Sequence, residues 1–146
     1  MFRVLPRTSI SLFRGIACRP TQLLLRFNSS KAAPKGNVKE ISDLTQFKDF
    51  VKPDKLTVID FYATWCGHCK ALEPIFAMLS DKIPEVSFGR VDVDKATDVA
   101  QEYQISAMPT CLFFQNGLKI DTIVGANPPR LVELIAEHGK VDLKNR

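Results

Sequence analysis

Residues 56–70 run from a strand pattern directly into a helix pattern, and two cysteines lie at the junction. The first half is a nearly continuous apolar and β-branched run, which is typical of a strand buried on both faces of a parallel sheet. The run ends at Cys66-Gly67-His68-Cys69, and a helical pattern begins at Lys70. The sequence therefore predicts a cysteine pair at the amino-terminal end of a helix.

A helix N-terminus is a favourable place for a thiolate. Its free N–H groups and positive dipole stabilise an anion, so we expect the pKa of Cys66 to fall below that of an ordinary thiol. Gly67 is expected to allow a tight backbone turn beside the sulfur. The two-residue spacer keeps the sulfurs close enough to form or exchange a disulfide, and Trp65 offers a large apolar surface for a substrate.

Zinc binding and a purely structural disulfide are two other uses of a Cys-x-x-Cys pair. A zinc site needs a second pair of ligands. Outside the motif, Cys18, Cys111 and His138 are each isolated in the sequence. The strand-to-helix position favours redox chemistry over both alternatives, and no metal site is predicted.

Asp60 places an acid in the middle of the predicted buried strand, six residues before Cys66. Burial of a carboxylate is costly unless the group is paired or protonated. A solvated edge is the alternative, but the apolar neighbours in the strand disfavour it. Because perturbed acids cluster at functional sites, we predict that Asp60 is a buried, poorly satisfied acid with a raised pKa and a role in proton transfer.

Residues 58–70 resemble the active-site segment of thioredoxins. The resemblance covers roughly residues 38–140 and continues through Pro74, residues 107–110, Gly117 and residues 124–126. His68 is a departure from it, since thioredoxins usually have Pro at that position. A histidine there resembles the domains of protein disulfide isomerase.

The resemblance implies an α/β thioredoxin fold, in which a central mixed sheet of four to five strands has helices on both faces. It implies a protein-disulfide reductase with no bound cofactor and with a Cys66–Cys69 disulfide in its oxidised form. Cys66 is the expected nucleophile, and Cys69, more buried, is the expected resolving thiol. Asp60 is expected to accept or return the proton of Cys69, through a water molecule.

The resemblance also implies how the site meets its partners. The expected docking surface consists of Trp65, Met108, Pro109 and Gly125, with Pro109 in the cis form and facing the dithiol. Thioredoxin reductase, drawing on NADPH, is the expected electron donor. Protein disulfides, such as that of a peroxiredoxin, are the expected substrates.

Two other functions remain open at the level of sequence. Gly67 and His68 are expected to tune the redox potential, and His68 suggests an oxidase or isomerase activity. The other alternative is a redox-regulated binding module whose reduced state docks on a partner.

Arg90 and Cys111 each allow two interpretations. Arg90 lies in a predicted strand where many thioredoxins have a lysine near the buried acid, but an arginine there can equally face solvent. Cys111 begins an apolar strand. We predict a buried core thiol at Cys111 in preference to a regulatory one.

Residues 1–30 have the composition of an organellar presequence. They carry five arginines and no acid, and at helical spacing the arginines Arg3, Arg7 and Arg14 share one face. We therefore predict a cleaved mitochondrial presequence at 1–30, a linker at 31–37 and a thioredoxin domain at 38–146, with the matrix as the location. A disordered basic tail is the alternative.

The formal net charge of +4 comes from the N-terminal segment 1–30. The rest of the chain has fifteen basic and sixteen acidic residues, so nucleic-acid binding has no electrostatic support there. The chain contains no apolar run long enough to span a bilayer, and no stable membrane association is expected.

Overall fold

A computed structural model describes residues 36–143 of the chain. Its elements are β1 (Val38–Ile41), α1 (Leu44–Val51), β2 (Thr57–Tyr62), α2 (Gly67–Lys82), β3 (Ser87–Asp92), α3 (Thr97–Glu102), β4 (Thr110–Gln115), β5 (Leu118–Val124) and α4 (Pro128–Gly139). The expected presequence with Cys18, most of the expected linker and the last three residues lie outside the described part of the chain.

The five strands form one mixed sheet in the order β1-β3-β2-β4-β5. The strands β1 and β2 both pair with β3 in parallel. The strand β4 runs antiparallel to β2 and to β5. The predicted mixed sheet of four to five strands is therefore confirmed, and the strand that leads to the cysteines lies at its centre.

Helices cover both faces of the sheet, and β2 contributes side chains to a buried cluster on each. The first cluster joins β2 to α2 and α4, through Val58, Phe76 and Leu134. The second joins β2 to α1 and α3, through Ile59, Phe47 and Val99. Successive residues of a strand point to opposite faces, so burial on both sides explains why β2 reads as a continuous apolar run.

Local sequence signals fix the ends of several elements. The N–H of Gln46 donates to Asp43 at 2.8 Å, which caps α1, and the N–H of Arg130 donates to Asn127 at 3.2 Å, which caps α4. Asn116 and Gly117 join β4 to β5 with φ values of 54° and 75°. Positive φ at both central residues is the mark of a type I′ hairpin turn.

Strand register brings three polar side chains of different strands to one level of the sheet. Asp60 of β2 pairs with Arg90 of β3 on one side and with Cys111 of β4 on the other. All three residues are buried.

In the part of the chain that the structure describes, no helix is long and apolar enough to cross a membrane.

Candidate active site

The two cysteines of the motif form a disulfide at the start of α2. Their Cα atoms are 5.3 Å apart, and Cys66 is the N-cap residue of the helix. The N–H of Cys69 donates to the sulfur of Cys66 at 3.2 Å. The sulfur of Cys66 thus occupies the place where a helix usually receives a capping oxygen, and the same donor can stabilise a thiolate there.

The two sulfurs differ in their access to solvent. Cys66 is 7% exposed and Cys69 is 1% exposed. Together with Ala63 they form a small buried cluster, against which Met108 packs. An incoming disulfide can therefore reach Cys66 more readily than Cys69, as the sequence predicts.

Gly67 and His68 both lie exposed in the first turn of α2. A Cβ atom added at Gly67 would meet nothing within 4 Å. Among the described glycines, Gly67 is not one of those with a positive φ. The backbone at Gly67 is already helical, so its conformation does not itself require a glycine.

The rim beside the disulfide carries the residues expected to dock a substrate. Trp65 is 68% exposed, and its indole N–H donates to Asp94 at 3.0 Å. The Met108–Pro109 peptide bond is cis, as the resemblance implies. The N–H of Gly125 donates to the carbonyl of Pro109 at 2.7 Å, which joins the end of β5 to this loop.

Asp60 is completely buried, but it is not an isolated acid. One carboxylate oxygen accepts a hydrogen bond from Nε of Arg90 at 3.2 Å, and the other lies 3.9 Å from the thiol of Cys111. The prediction of a poorly satisfied group is therefore wrong. The partners come from the strands on either side, and of these the sequence suggested only Arg90, as one of two interpretations.

Burial nevertheless dominates the acidity of this carboxyl. Loss of solvent raises the pKa of Asp60 to about 6, against the opposing effect of the Arg90 charge and its hydrogen bond. The carboxylate of Glu73 raises this pKa further, while the hydrogen bond from Cys111 lowers it. The predicted direction is thus confirmed, and Asp60 titrates close to neutral pH.

Arg90 does not face solvent, so that interpretation is wrong. Its NH1 nitrogen lies 2.7 Å from a carboxylate oxygen of Glu73 on α2. Its guanidinium carbon lies 3.9 Å from the centre of the Tyr62 ring, within the range of a cation–π contact. The hydroxyl of Tyr62 in turn donates to Glu40 of β1.

Cys111 is the buried thiol that the sequence predicts. Burial and the neighbouring Asp60 carboxylate hold the pKa of Cys111 well above that of an ordinary thiol. A thiol held in its protonated form is a poor nucleophile. Its place in the site is therefore that of a hydrogen-bond donor to Asp60.

A cavity of about 490 Å³ lies beside Cys69 and the ion pair of Arg90 with Glu73. Cys69, Tyr62, Glu73 and Arg90 contribute to its walls. A space of this size and polarity can hold water between Cys69 and the Arg90–Glu73 pair.

In the described part of the chain, no group of three or more His, Cys, Asp or Glu residues could hold a metal ion.

Glu73 is the site residue that sequence reasoning missed. It follows Leu72 and precedes Phe76 on α2, and both of those residues are buried in the core. Residues 69, 72, 73 and 76 share one face of a helix. An acid within an otherwise buried stripe was the available signal that Glu73 needs a cationic partner.

A mixed sheet that presents a cysteine pair at a helix N-terminus defines a thiol-disulfide oxidoreductase. The profile of the thioredoxin family matches residues 37–137. The chain belongs to the thioredoxin family. Proteins of this family are disulfide oxidoreductases that act without a bound cofactor.

Individual relatives and solved structures agree with this assignment. A thioredoxin of Malassezia sympodialis is 50% identical over 69% of this chain and 98% of its own. Thioredoxin-2 of Pyricularia oryzae is 48% identical over 71% of this chain. The matched region spans only 61% of the length of that relative. Mitochondrial Thioredoxin-3 of Saccharomyces cerevisiae is 40% identical over 80% of this chain and 87% of its own.

Two solved structures illustrate the similarity of fold. The crystal structure of Malassezia sympodialis thioredoxin superimposes with a TM-score of 0.68 over 73% of this chain and 94% of that one. A chain from a study of thiol resolution in yeast mitochondrial 1-Cys peroxiredoxin via glutathione/thioredoxin systems is 39% identical. It superimposes with a TM-score of 0.66 over 68% of this chain and 94% of its own.

The raised pKa of Asp60 predicts a specific pH dependence of stability. Between about pH 4 and pH 6 the unfolded state loses the Asp60 proton while the folded state keeps it. The free energy of unfolding should therefore fall across this window and level off above it, by roughly 2–3 kcal/mol in total. Asp60→Asn removes this dependence, so the variant should gain stability relative to the parent as pH rises from 4 to 7.

Urea unfolding of the oxidised proteins at several pH values measures this difference, and the disulfide keeps the motif cysteines from titrating. Asp81→Asn, at an exposed position of α2, is the control for loss of a carboxylate at the surface. A constant difference between Asp60→Asn and the parent across the window would contradict the assigned pKa direction.

Proposed function

We propose that this protein is a mitochondrial thioredoxin that reduces protein disulfides through Cys66 and Cys69. The observation that carries this proposal is the placement of Cys66 at the N-cap of α2, bonded to a less accessible Cys69. Electrons pass to a substrate in two exchange steps, since each disulfide must be opened by one thiolate and released by another.

In the first step, the thiolate of Cys66 attacks one sulfur of the substrate disulfide. A mixed disulfide forms, and the second substrate sulfur leaves as a thiolate that takes up a proton. In the second step, the thiol of Cys69 gives its proton to the Asp60 carboxylate through a water molecule. Its thiolate then attacks Cys66, which restores the Cys66–Cys69 disulfide and releases the reduced substrate with both electrons.

The docking surface assigned to the substrate consists of Trp65, Met108, Pro109 and Gly125. Trp65 offers an exposed aromatic face, which can bury area at low entropic cost. The contacts of Met108 with the cysteine cluster and of Gly125 with Pro109 support a common rim for the other three. A substrate chain lying on this rim would pass beside Cys66.

The proposed electron donor is a thioredoxin reductase that draws on NADPH, and a peroxiredoxin is a proposed client. Support for the client comes from the solved chain studied with a yeast mitochondrial 1-Cys peroxiredoxin. The near-neutral charge of residues 31–146 gives no basis for a nucleic-acid partner.

Location in the mitochondrial matrix is proposed from the acid-free, arginine-bearing segment 1–30, with 31–37 as linker and 38–146 as the mature domain. The similarity to mitochondrial Thioredoxin-3 of yeast supports this location. Other relatives that match comparably well are thioredoxins whose names state no compartment.

Removal of the resolving thiol should trap the first intermediate. Cys69→Ser leaves Cys66 able to attack but gives no thiolate to release the mixed disulfide. We expect covalent complexes with substrate proteins that disappear on addition of dithiothreitol, whereas Cys66→Ser should form none. Complexes of equal abundance with both variants would overturn the assigned roles.

Cleavage of the presequence can be read from the mature protein. Mass spectrometry of the protein isolated from mitochondria of its native cell should show a start between roughly residues 27 and 33. The cytosolic fraction serves as the comparison. A mature pool that retains Met1 would reject both the presequence and the domain boundaries proposed here.

A more oxidising activity is the second candidate, and the exposed position of His68 between the cysteines favours it. An imidazole beside the dithiol can stabilise the thiolate of the reduced form, which makes the disulfide more oxidising. His68→Pro should therefore lower the reduction potential, with about 30 mV for each tenfold change in the equilibrium constant. Equilibration of both proteins against glutathione measures it, and an equal or higher potential in the variant would contradict the role of His68.

A further inference from the structure

Arg90 is shared between two carboxylates of different exposure. Its Nε lies 3.2 Å from Asp60, which is completely buried, and its NH1 lies 2.7 Å from Glu73, whose side chain is 34% exposed. The ring of Tyr62 supports the guanidinium at 3.9 Å. One cation thus has an inner and an outer anionic partner, and the outer contact is the shorter.

This arrangement sets the charge balance around Asp60. When Asp60 holds its proton, Arg90 and Glu73 form a neutral pair. When Asp60 is ionised, the three groups carry a net negative charge in a largely buried place, which disfavours ionisation. Without the second carboxylate, the Arg90 charge would oppose the effect of burial on Asp60 more strongly.

The other polar groups around Asp60 affect its pKa less than Arg90 and Glu73 do. From β4 the Cys111 thiol contributes a hydrogen bond without charge. From β2 the neutral Tyr62 supports the guanidinium, and its hydroxyl is engaged by Glu40 of β1. On α2, Cys69 and Lys70 line the same cavity as Glu73, and Cys69 is bonded to Cys66 in the oxidised state.

We propose that Glu73 is a positioning residue which, by sharing Arg90 with Asp60, keeps the buried carboxyl able to take up and release a proton near neutral pH. This inference deepens the proposed function, since it rests on the proton transfer between Asp60 and Cys69. Glu73 touches neither sulfur in this role and acts only through Arg90. The carboxylate of Glu73 raises the pKa of Asp60 and the Arg90 charge lowers it, as the geometry requires.

The isosteric variant Glu73→Gln tests the proposal. The amide oxygen can still accept a hydrogen bond from Arg90, so the side chains stay in place while one negative charge is lost. Carbon-13 NMR of aspartate-labelled, full-length oxidised protein follows the Asp60 carboxyl directly, and Asp60→Asn identifies its signal. The midpoint of the Asp60 titration should move to lower pH by about one unit, a tenfold gain in acidity.

Glu133→Gln is the matched control. Glu133 also lies 2.7 Å from an arginine, Arg130, but this pair is on the surface of α4, remote in sequence from the site. The Asp60 midpoint should not move in this variant. Glu73→Ala, which removes the same charge without supplying an amide, should shift the midpoint in the same direction as Glu73→Gln and provides a second test if the amide variant folds poorly.

Two outcomes separate this proposal from the proposed function. An Asp60 midpoint that stays in place or rises in both Glu73 variants would overturn the role of Glu73. The pH profile of insulin disulfide reduction reports on the role of Asp60, and it should move to lower pH together with the NMR midpoint. A shifted NMR midpoint with an unchanged rate profile would support the role of Glu73 and overturn proton transfer through Asp60.

Discussion

The burial of β2 on both faces is the constraint on which the rest of the structure depends. This strand lies between a parallel neighbour and an antiparallel one, and its side chains reach both core clusters. Every backbone polar group of such a strand must be paired within the sheet. The strand is consequently fixed in position, and so is the turn that carries the cysteines from its end to the first residue of α2.

The same constraint makes a charge on Asp60 energetically unfavourable unless protein groups balance it. A carboxyl at the centre of a sheet has no access to bulk water, so its charge must be balanced by protein groups. Arg90 supplies this balance from β3, but Glu73 takes up part of the arginine's charge from the other side. Because the effect of burial exceeds that of the Arg90 charge, and Glu73 adds to it, Asp60 is paired and still only weakly acidic. This is the condition for the proposed exchange of a proton near neutral pH.

Local signals in the sequence mark individual elements, whereas the arrangement of the sheet is what the resemblance to thioredoxins implies. An apolar run marks β2, asparagine and glycine mark the β4–β5 turn, and Asp43 and Asn127 mark helix starts. The cysteine pair is visible as a motif, whereas the role and cis form of Pro109 are what the family resemblance implies. Contacts between strands and helices could not be found in this way, since the pairing of Asp60 with Arg90 depends on register and the pairing of Arg90 with Glu73 depends on how α2 packs.

The position of Cys66 links chemistry to the stability of a helix. Its sulfur accepts the N–H of Cys69, so the atom that is oxidised and reduced is also the cap of α2. A thiolate is a stronger acceptor than a disulfide sulfur and interacts more favourably with the helix dipole. Reduction to the thiolate expected at Cys66 would therefore exchange a neutral cap of α2 for an anionic one. The free energy that the helix gains in this way would make the disulfide easier to reduce.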